Sequence, residues 1–143
     1  MKKGVDYIGI CVCFFCHDGE GNYLFHKRSE NCRDERGRWD CGGGSVDVGE
    51  MVDSAFKREV NEEYGVLPIS YEFLGHEEIF REVDGHKTHW LAFRYRALVD
   101  RSAVINNEPE KHSELGWYKI DDLPKPLHSA IPDEVQRFRD KLT

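Results

Sequence analysis

An α/β fold is predicted by three features of the 143-residue sequence. Short runs rich in β-branched and aromatic residues, broken by Asp-Gly and Gly-Asn turn signals, predict strands. Residues from about 50 to 64 carry an apolar repeat of about 3.6 residues and predict a helix. A second stretch with helix-start and helix-stop signals closes the chain. The length suits one domain, 1–143, with a single sizeable core.

Taken in order, residues 7–15 (YIGICVCFF) read as a strand in a sheet interior. HDGEGN marks a turn and YLFHKRS a second strand, so the two are expected to form a hairpin. From Ser29 to Arg38 the pattern dissolves into a polar loop, and Lys27 and Arg28 just before it with Arg33, Arg36 and Arg38 within it give a local basic excess, diluted by Glu30, Asp34 and Glu35. Arginine offers a bidentate fork to phosphate oxygens, which makes Arg28 and Arg38 candidate phosphate contacts. Trp39 is expected to anchor this loop in the core, and the glycines at 42–44 to allow a sharp turn. The helix should begin near Glu50 or Met51 and stop at Gly65, a natural C′ residue. Val52, Phe56, Val60 and Tyr64 then form its core stripe, with Ala55, Glu59, Glu62 and Glu63 beside it.

Beyond Pro68, two β-rich runs meet at Val83-Asp84-Gly85-His86, a hairpin signal. In the second run Phe93, Tyr95, Ala97 and Val99 alternate with Arg94, Arg96 and Leu98, the pattern of a half-buried strand. NNEPEKHSE reads as a loop, LGWYKI as a short strand and DDLPKPLHSAIP as a proline-punctuated connection. The last helix has Pro132 with Asp133 and Glu134 at its start, and Arg139 and Lys141 at its end, as the helix dipole favours.

Composition narrows the function. A net charge of −7 and a pI near 5.5 argue against a nucleic-acid partner. No apolar run approaches the roughly 20 residues that cross a bilayer. The apolar start lacks a small-x-small cleavage site, so the expected location is the cytoplasm. The five cysteines are odd in number and lack a second C-x-x-C, so they read as buried small residues rather than a disulfide or zinc framework. His86 and His89 read as surface or structural histidines.

The chemistry concentrates on the first helix. Glu59 lies i,i+3 from Glu62 and i,i+4 from Glu63, so three carboxylates project from one patch. Repulsion there is relieved by a cation that prefers oxygen ligands, Mg²⁺ or alternatively Mn²⁺. Clustered acids, a glycine-rich approach and nearby arginines suit metal-assisted chemistry on a phosphate ester or anhydride. The oxygen spacing of a calcium-binding EF-hand loop is absent.

The register of these residues resembles the Nudix box, G-x5-E-x7-R-E-U-x-E-E-x-G-U with U a bulky aliphatic. Gly44, Glu50, Arg58, Glu59, Val60, Glu62, Glu63, Gly65 and Val66 fill its nine fixed positions. The resemblance extends over nearly the whole chain and implies an α/β/α sandwich with a mixed sheet. It also implies hydrolysis of a nucleoside diphosphate linked to another moiety. By position it makes Glu59 and Glu63 the principal metal ligands, with Glu62 a third ligand or the base that activates water. A backbone carbonyl of Gly43 or Gly44 would add an oxygen. Arg58 would orient the helix carboxylates, and Glu50 would lie at the loop-helix junction and pair with it. Among Glu108, Glu110 and Glu114, Glu108 is favoured as a further acid. One departure is Gly42, which stands where many members have proline, so a looser turn is expected.

The E-P-E-K-x5-W tail most resembles nucleoside triphosphate pyrophosphohydrolases, including those that cleanse damaged nucleotides. Pyrophosphatases of ADP-ribose, nucleotide sugars or coenzyme A are the alternative, and a non-catalytic nucleotide-binding domain of the same fold is the second. The expected partner is a small nucleotide, with no nucleic acid and no membrane. The sequence does not fix the oligomeric state, and a homodimer is compatible with it.

Overall fold

The computed structural model describes all 143 residues. Seven strands and two helices follow in the order β1 (Gly9–His17), β2 (Tyr23–Arg28), β3 (Trp39–Asp40), β4 (Gly42–Ser45), α1 (Val52–Tyr64), β5 (Ser70–Val83), β6 (His86–Leu98), β7 (His112–Tyr118) and α2 (Ile131–Leu142). The sheet runs β3-β2-β1-β6-β5, with β4 also on β1 and β7 also on β2. It is mixed because β1 lies parallel to β6, Gly9 opposite Trp90 through His17 opposite Leu98, whereas the other pairings are antiparallel.

The first hairpin is joined at its turn only. His17 pairs with Tyr23, after which β1 turns to β4 and β6 while β2 turns to β7 and β3. The splay corrects the expectation of a full hairpin, and the triglycine is its cause. Residues 42–45 are not a loose turn but a strand whose Gly42 to Ser45 oppose Phe14 to Cys11. A Cβ on Gly42 would lie 2.0 Å from Phe14 Cε2, so this strand fits over Phe14 only without a side chain. The second hairpin is continuous, and Asp84 and Gly85 at its tip both have positive φ, as a two-residue type I′ turn requires.

Alternation along the strands builds two cores. Val12, Phe14 and Cys16 of β1 face α1, together with Leu24, Tyr95 and Ala97, and meet Ala55, Phe56, Val60 and Tyr64. Phe15, Tyr23 and Phe25 point the other way and meet Val135, Phe138 and Leu142 of α2. A helix on each face of the sheet makes the α/β/α sandwich. Each fully buried aromatic or aliphatic side chain contributes about 1.5–3 kcal/mol of hydrophobic transfer. Trp39 is buried edge-on against Tyr118, 5.4 Å between ring centres.

Two expectations from patterning need correction. Strand β6 is not half-buried with its arginines in water: Arg94 is 3% exposed, because α2 covers that face and brings Glu134 to it. The cysteines are all free, but only Cys16 and Cys41 are buried; Cys11, Cys13 and Cys32 are partly open. No helix is long and apolar enough to cross a membrane.

Candidate active site

Helix α1 positions the acids by what it must bury. Its core stripe takes Ala55, Phe56, Val60 and Tyr64, and Glu63 falls inside that seam. Gly65 ends the helix with φ of 69° and donates its N–H to the Asn61 carbonyl. The three carboxylates are therefore graded: the Glu63 side chain is 6% exposed, Glu59 14% and Glu62 51%.

Arg58 ties this array together. Its Nε and Nη2 donate to the two oxygens of Glu50 at 2.7 and 2.9 Å, a bidentate fork. Nη1 reaches Glu59 Oε1 at 2.8 Å and Glu62 Oε2 at 3.2 Å, and Nη2 also donates to the Ser45 carbonyl at 3.0 Å. These hydrogen bonds, with one from the Asp47 N–H, hold the Glu50 carboxyl down at about 2. The guanidinium fixes the loop, the helix and two of the three acids in one arrangement.

The triglycine strand forms the opposite wall. A Cβ on Gly44 would lie 2.1 Å from Glu59 Cδ, so glycine is what lets the carboxylate lie against the backbone. The Gly43 N–H donates to Glu63 Oε2 at 3.0 Å. Burial pushes both Glu59 and Glu63 above the usual carboxylate range, Glu63 well above, and the nearby charge of Glu108 adds to the effect in each. Glu63 has no lysine or arginine within ion-pairing distance; its nearest partner besides Gly43 is His112, whose Nε2 stands 3.4 Å from Oε1.

These groups line one wall of an open cleft of about 880 Å³. Of the three loop acids, Glu108 lies in the cleft and pairs with Lys111 at 3.4 Å. Glu114 instead pairs with Lys27 at 3.8 Å, and Glu110 uses its backbone carbonyl to accept from Ser29 and Asn31. Arg28 lines the cleft but is held by Asp34 at 2.9 Å and Asp40 at 3.6 Å. Arg38 is not among the residues lining the cleft: its Nη1 donates to the Leu127 carbonyl at 3.0 Å and its Nε lies 3.9 Å from Glu35. Arg33 lines the cleft in its place.

Sequence reasoning missed several neighbours. His26 and His112 stack face to face, 3.7 Å between ring centres, directly beside Glu63. Burial pushes His112 down to about 4, with Lys111 and Arg28 adding to it, and holds His26 well below its ordinary value. Both rings are neutral at pH 7. Arg81 bridges to Asp34 at 2.9 Å, so Asp34 joins Arg28 to β5 across the cleft. No spacing rule connects residues 26 and 112; the β2–β7 pairing, which places Arg28 opposite His112, does.

The donor set is one that a hard divalent cation accepts: clustered carboxylates on a rigid helix, glycine backbone at the opposite wall, and a buried acid without a basic partner. The NUDIX domain family profile matches residues 8–138. The mouse protein named 8-oxo-dGDP phosphatase NUDT18 is 27% identical over 132 residues, 90% of this chain but 37% of its own length. The chain thus spans well under half of that relative. A solved MutT NUDIX hydrolase from Burkholderia pseudomallei superposes with a TM-score of 0.80 at 30% identity, covering 92% of this chain and 98% of that one. A MutT protein from Methanosarcina mazei gives 0.77 at 25% identity, covering 94% of each. The box register, the sandwich and these similarities together establish that the chain belongs to the Nudix family, whose hydrolases act on phosphoric anhydride bonds.

Proposed function

We propose that this chain hydrolyses the anhydride bond of a nucleoside diphosphate linked to another moiety, with Mg²⁺ as cofactor and Mn²⁺ as an alternative. Glu59 and Glu63 would hold the cation, with Glu62 and the Gly43 carbonyl completing the protein's donors. The observation that carries the reading is Glu63, a carboxylate 5% exposed with no basic side chain to neutralise it. Such a carboxyl either keeps its proton or is joined by a cation, and the neighbouring acids Glu59 and Glu108 favour a cation that serves all of them. Once bound, a divalent cation neutralises phosphate oxygens and acidifies water, which is the chemistry this hydrolysis needs.

The chain's own groups do the rest. Arg58 holds Glu59 and Glu62 in fixed positions by charge-assisted bonds, so little reorganisation accompanies reaction. Glu62, the most exposed of the three acids, has an oxygen open to solvent and suits proton acceptance from the attacking water. Water adds to one phosphorus, the bridging P–O bond breaks, and two phosphate-bearing products leave. Glu108 lines the same cleft and its charge acts on Glu59, which makes it the further acid. Arg33 on the cleft wall would supply positive charge for the substrate's phosphates, and Arg28 would do so only by exchanging its pairing with Asp34 and Asp40.

The substrate reading is a nucleoside triphosphate, including damaged ones, cleaved to a monophosphate and pyrophosphate. The tail sequence supports the triphosphate, while the mouse relative, named for an oxidised nucleoside diphosphate, supports only the damaged-nucleotide part of the reading. The net charge of −7 suits a small nucleotide better than a nucleic acid, and a cytoplasmic location fits that substrate pool. A panel with Mg²⁺ tests this: nucleoside triphosphates, oxidised nucleotides, ADP-ribose, nucleotide sugars and coenzyme A, with phosphate and pyrophosphate release measured. Triphosphates should turn over fastest. Faster turnover of a sugar-linked substrate would replace the substrate reading, and no turnover on any would overturn the enzyme reading.

A further inference from the structure

Strand β6 lies between β1 and β5, and α2 covers only part of the face they share. Arg94 and Glu77 lie beneath that helix, where Glu134 and Arg137 meet them. Further along the same face, Cys11, Ile79, Val83, Thr88 and Trp90 are half-buried and line the open cleft. They share the face because side chains two residues apart on a strand point the same way. Cys11 is two residues from Cys13, the register partner of Arg94, and Ile79 stands opposite Trp90. The sheet thus gives the cleft a mainly apolar floor beside the carboxylates of α1.

Trp90 lies flat on that floor. Its register partner is Gly9, and a Cβ there would stand 2.5, 2.6 and 2.8 Å from three consecutive atoms of the benzo ring, as over a ring face and not at an edge. Gly4, whose carbonyl accepts from the His89 N–H at 2.8 Å, would bring a Cβ to 2.4 Å from the indole Nε1. Both glycines belong to backbone running alongside β6, so they clear the sheet side of the indole and leave its other face toward the cleft. A side chain at either position would lift the ring.

Register also links this ring to the carboxylates. Gly43, which bonds Glu63, stands opposite Cys13, whereas Trp90 stands opposite Gly9. Those partners are four residues apart on β1, about 13 Å at roughly 3.3 Å per residue. A nucleotide whose phosphates meet Glu59 and Glu63 places its base at a separation of that order, with the ribose between.

We infer that the open face of Trp90, with Ile79 and Val83 beside it, is the platform on which the purine base of a nucleotide substrate stacks. Bases bind aromatic side chains through their π-faces. A bicyclic purine matches the indole in area, whereas a pyrimidine leaves part of the ring in water. The inference rests on the nucleotide reading proposed above and adds to it the moiety that this floor selects. Its primary test reads binding without metal or turnover, so its failure and an inactive substrate panel are separate results.

The full-length protein in chelator should be titrated with guanosine monophosphate, cytidine monophosphate and ribose 5-phosphate, by calorimetry and tryptophan fluorescence. The purine nucleotide should bind at least about fivefold tighter than ribose 5-phosphate and should quench fluorescence. Trp39 packs on Tyr118 and Trp117 lies beneath Arg101, both outside the cleft lining, so the quenching should vanish in Trp90→Phe while affinity is largely kept. Trp90→Leu should weaken purine binding by about tenfold and, with Mg²⁺ and substrate, raise KM with little change in kcat. Nuclear Overhauser contacts from the base H8 to the Trp90 ring in the wild type need no variant to fold. The inference is overturned by no saturable binding of guanosine monophosphate, or by ribose 5-phosphate or cytidine monophosphate binding as tightly. Unchanged affinity in Trp90→Leu, or base contacts that avoid Trp90, would overturn it equally.

Discussion

Two groups of buried acids lie on opposite faces of the sheet, and they are neutralised in opposite ways. Under α2, Glu77 and Glu134 meet Arg94 and Arg137: Arg94 Nε donates to Glu77 at 2.7 Å and lies 2.5 Å from Glu134, and Arg137 reaches Glu77 at 2.8 Å. Burial and the adjacent Glu77 push Glu134 up, so it keeps its proton, while Glu77 overcomes burial through hydrogen bonds from Glu134 and Arg94 and stays ionised. That group closes on itself. Under α1, Glu63 has only a backbone N–H and a neutral imidazole, and Arg58 reaches Glu59 from one side. Acids of the first kind hold the fold; acids of the second kind are open to a ligand.

The largest expected effect tests the closed group. Arg94→Met leaves two buried acids without their central cation and should lower unfolding free energy by about 3–5 kcal/mol, read from urea denaturation. A loss below about 1 kcal/mol would place Arg94 outside the load of the fold and remove the contrast. Glu63→Gln tests the open group. Activity with Mg²⁺ should fall on the order of 10²- to 10³-fold in kcat/KM. The melting temperature in chelator-treated buffer should not drop, since an amide still accepts from Gly43 and buries no charge. A fall in melting temperature comparable to that of Arg94→Met would make Glu63 a structural acid.

The smallest effect sharpens the comparison through pH. Glu134 titrates at about 9 in the folded protein and near 4.3 in an unfolded chain. Between those values the folded state keeps a proton that the unfolded chain has released, so this group makes stability fall as pH rises through the window. Glu134→Gln should make that decline shallower. An unchanged slope of denaturation midpoint against pH would show that Glu134 does not hold the proton.

Much of the frame was legible in the chain. The first helix showed its ends through Glu50, Met51 and Gly65, because caps and glycine act locally. The second hairpin showed its tip, because Asp84 and Gly85 suit one turn type. The gathering of Glu59, Glu62 and Glu63 followed from helical spacing alone. What escaped was set by distant pairing. The burial of Arg94 depends on α2 covering β6, and Arg38 is taken from the cleft by the Leu127 carbonyl, 89 residues further along the chain. The same applies to Glu108, one of three similar loop acids until the loop's course brought it to the cleft.

By itself, then, the sequence determined the element types and the family register, since both rest on residues near one another in the chain. Only the tertiary structure decided which acids are buried, which have internal cations and which imidazoles join them. Burial and charge pairing depend on what other strands and helices bring alongside. His26 and His112 stand 3.7 Å apart between ring centres, a proximity that only the pairing of β2 with β7 creates.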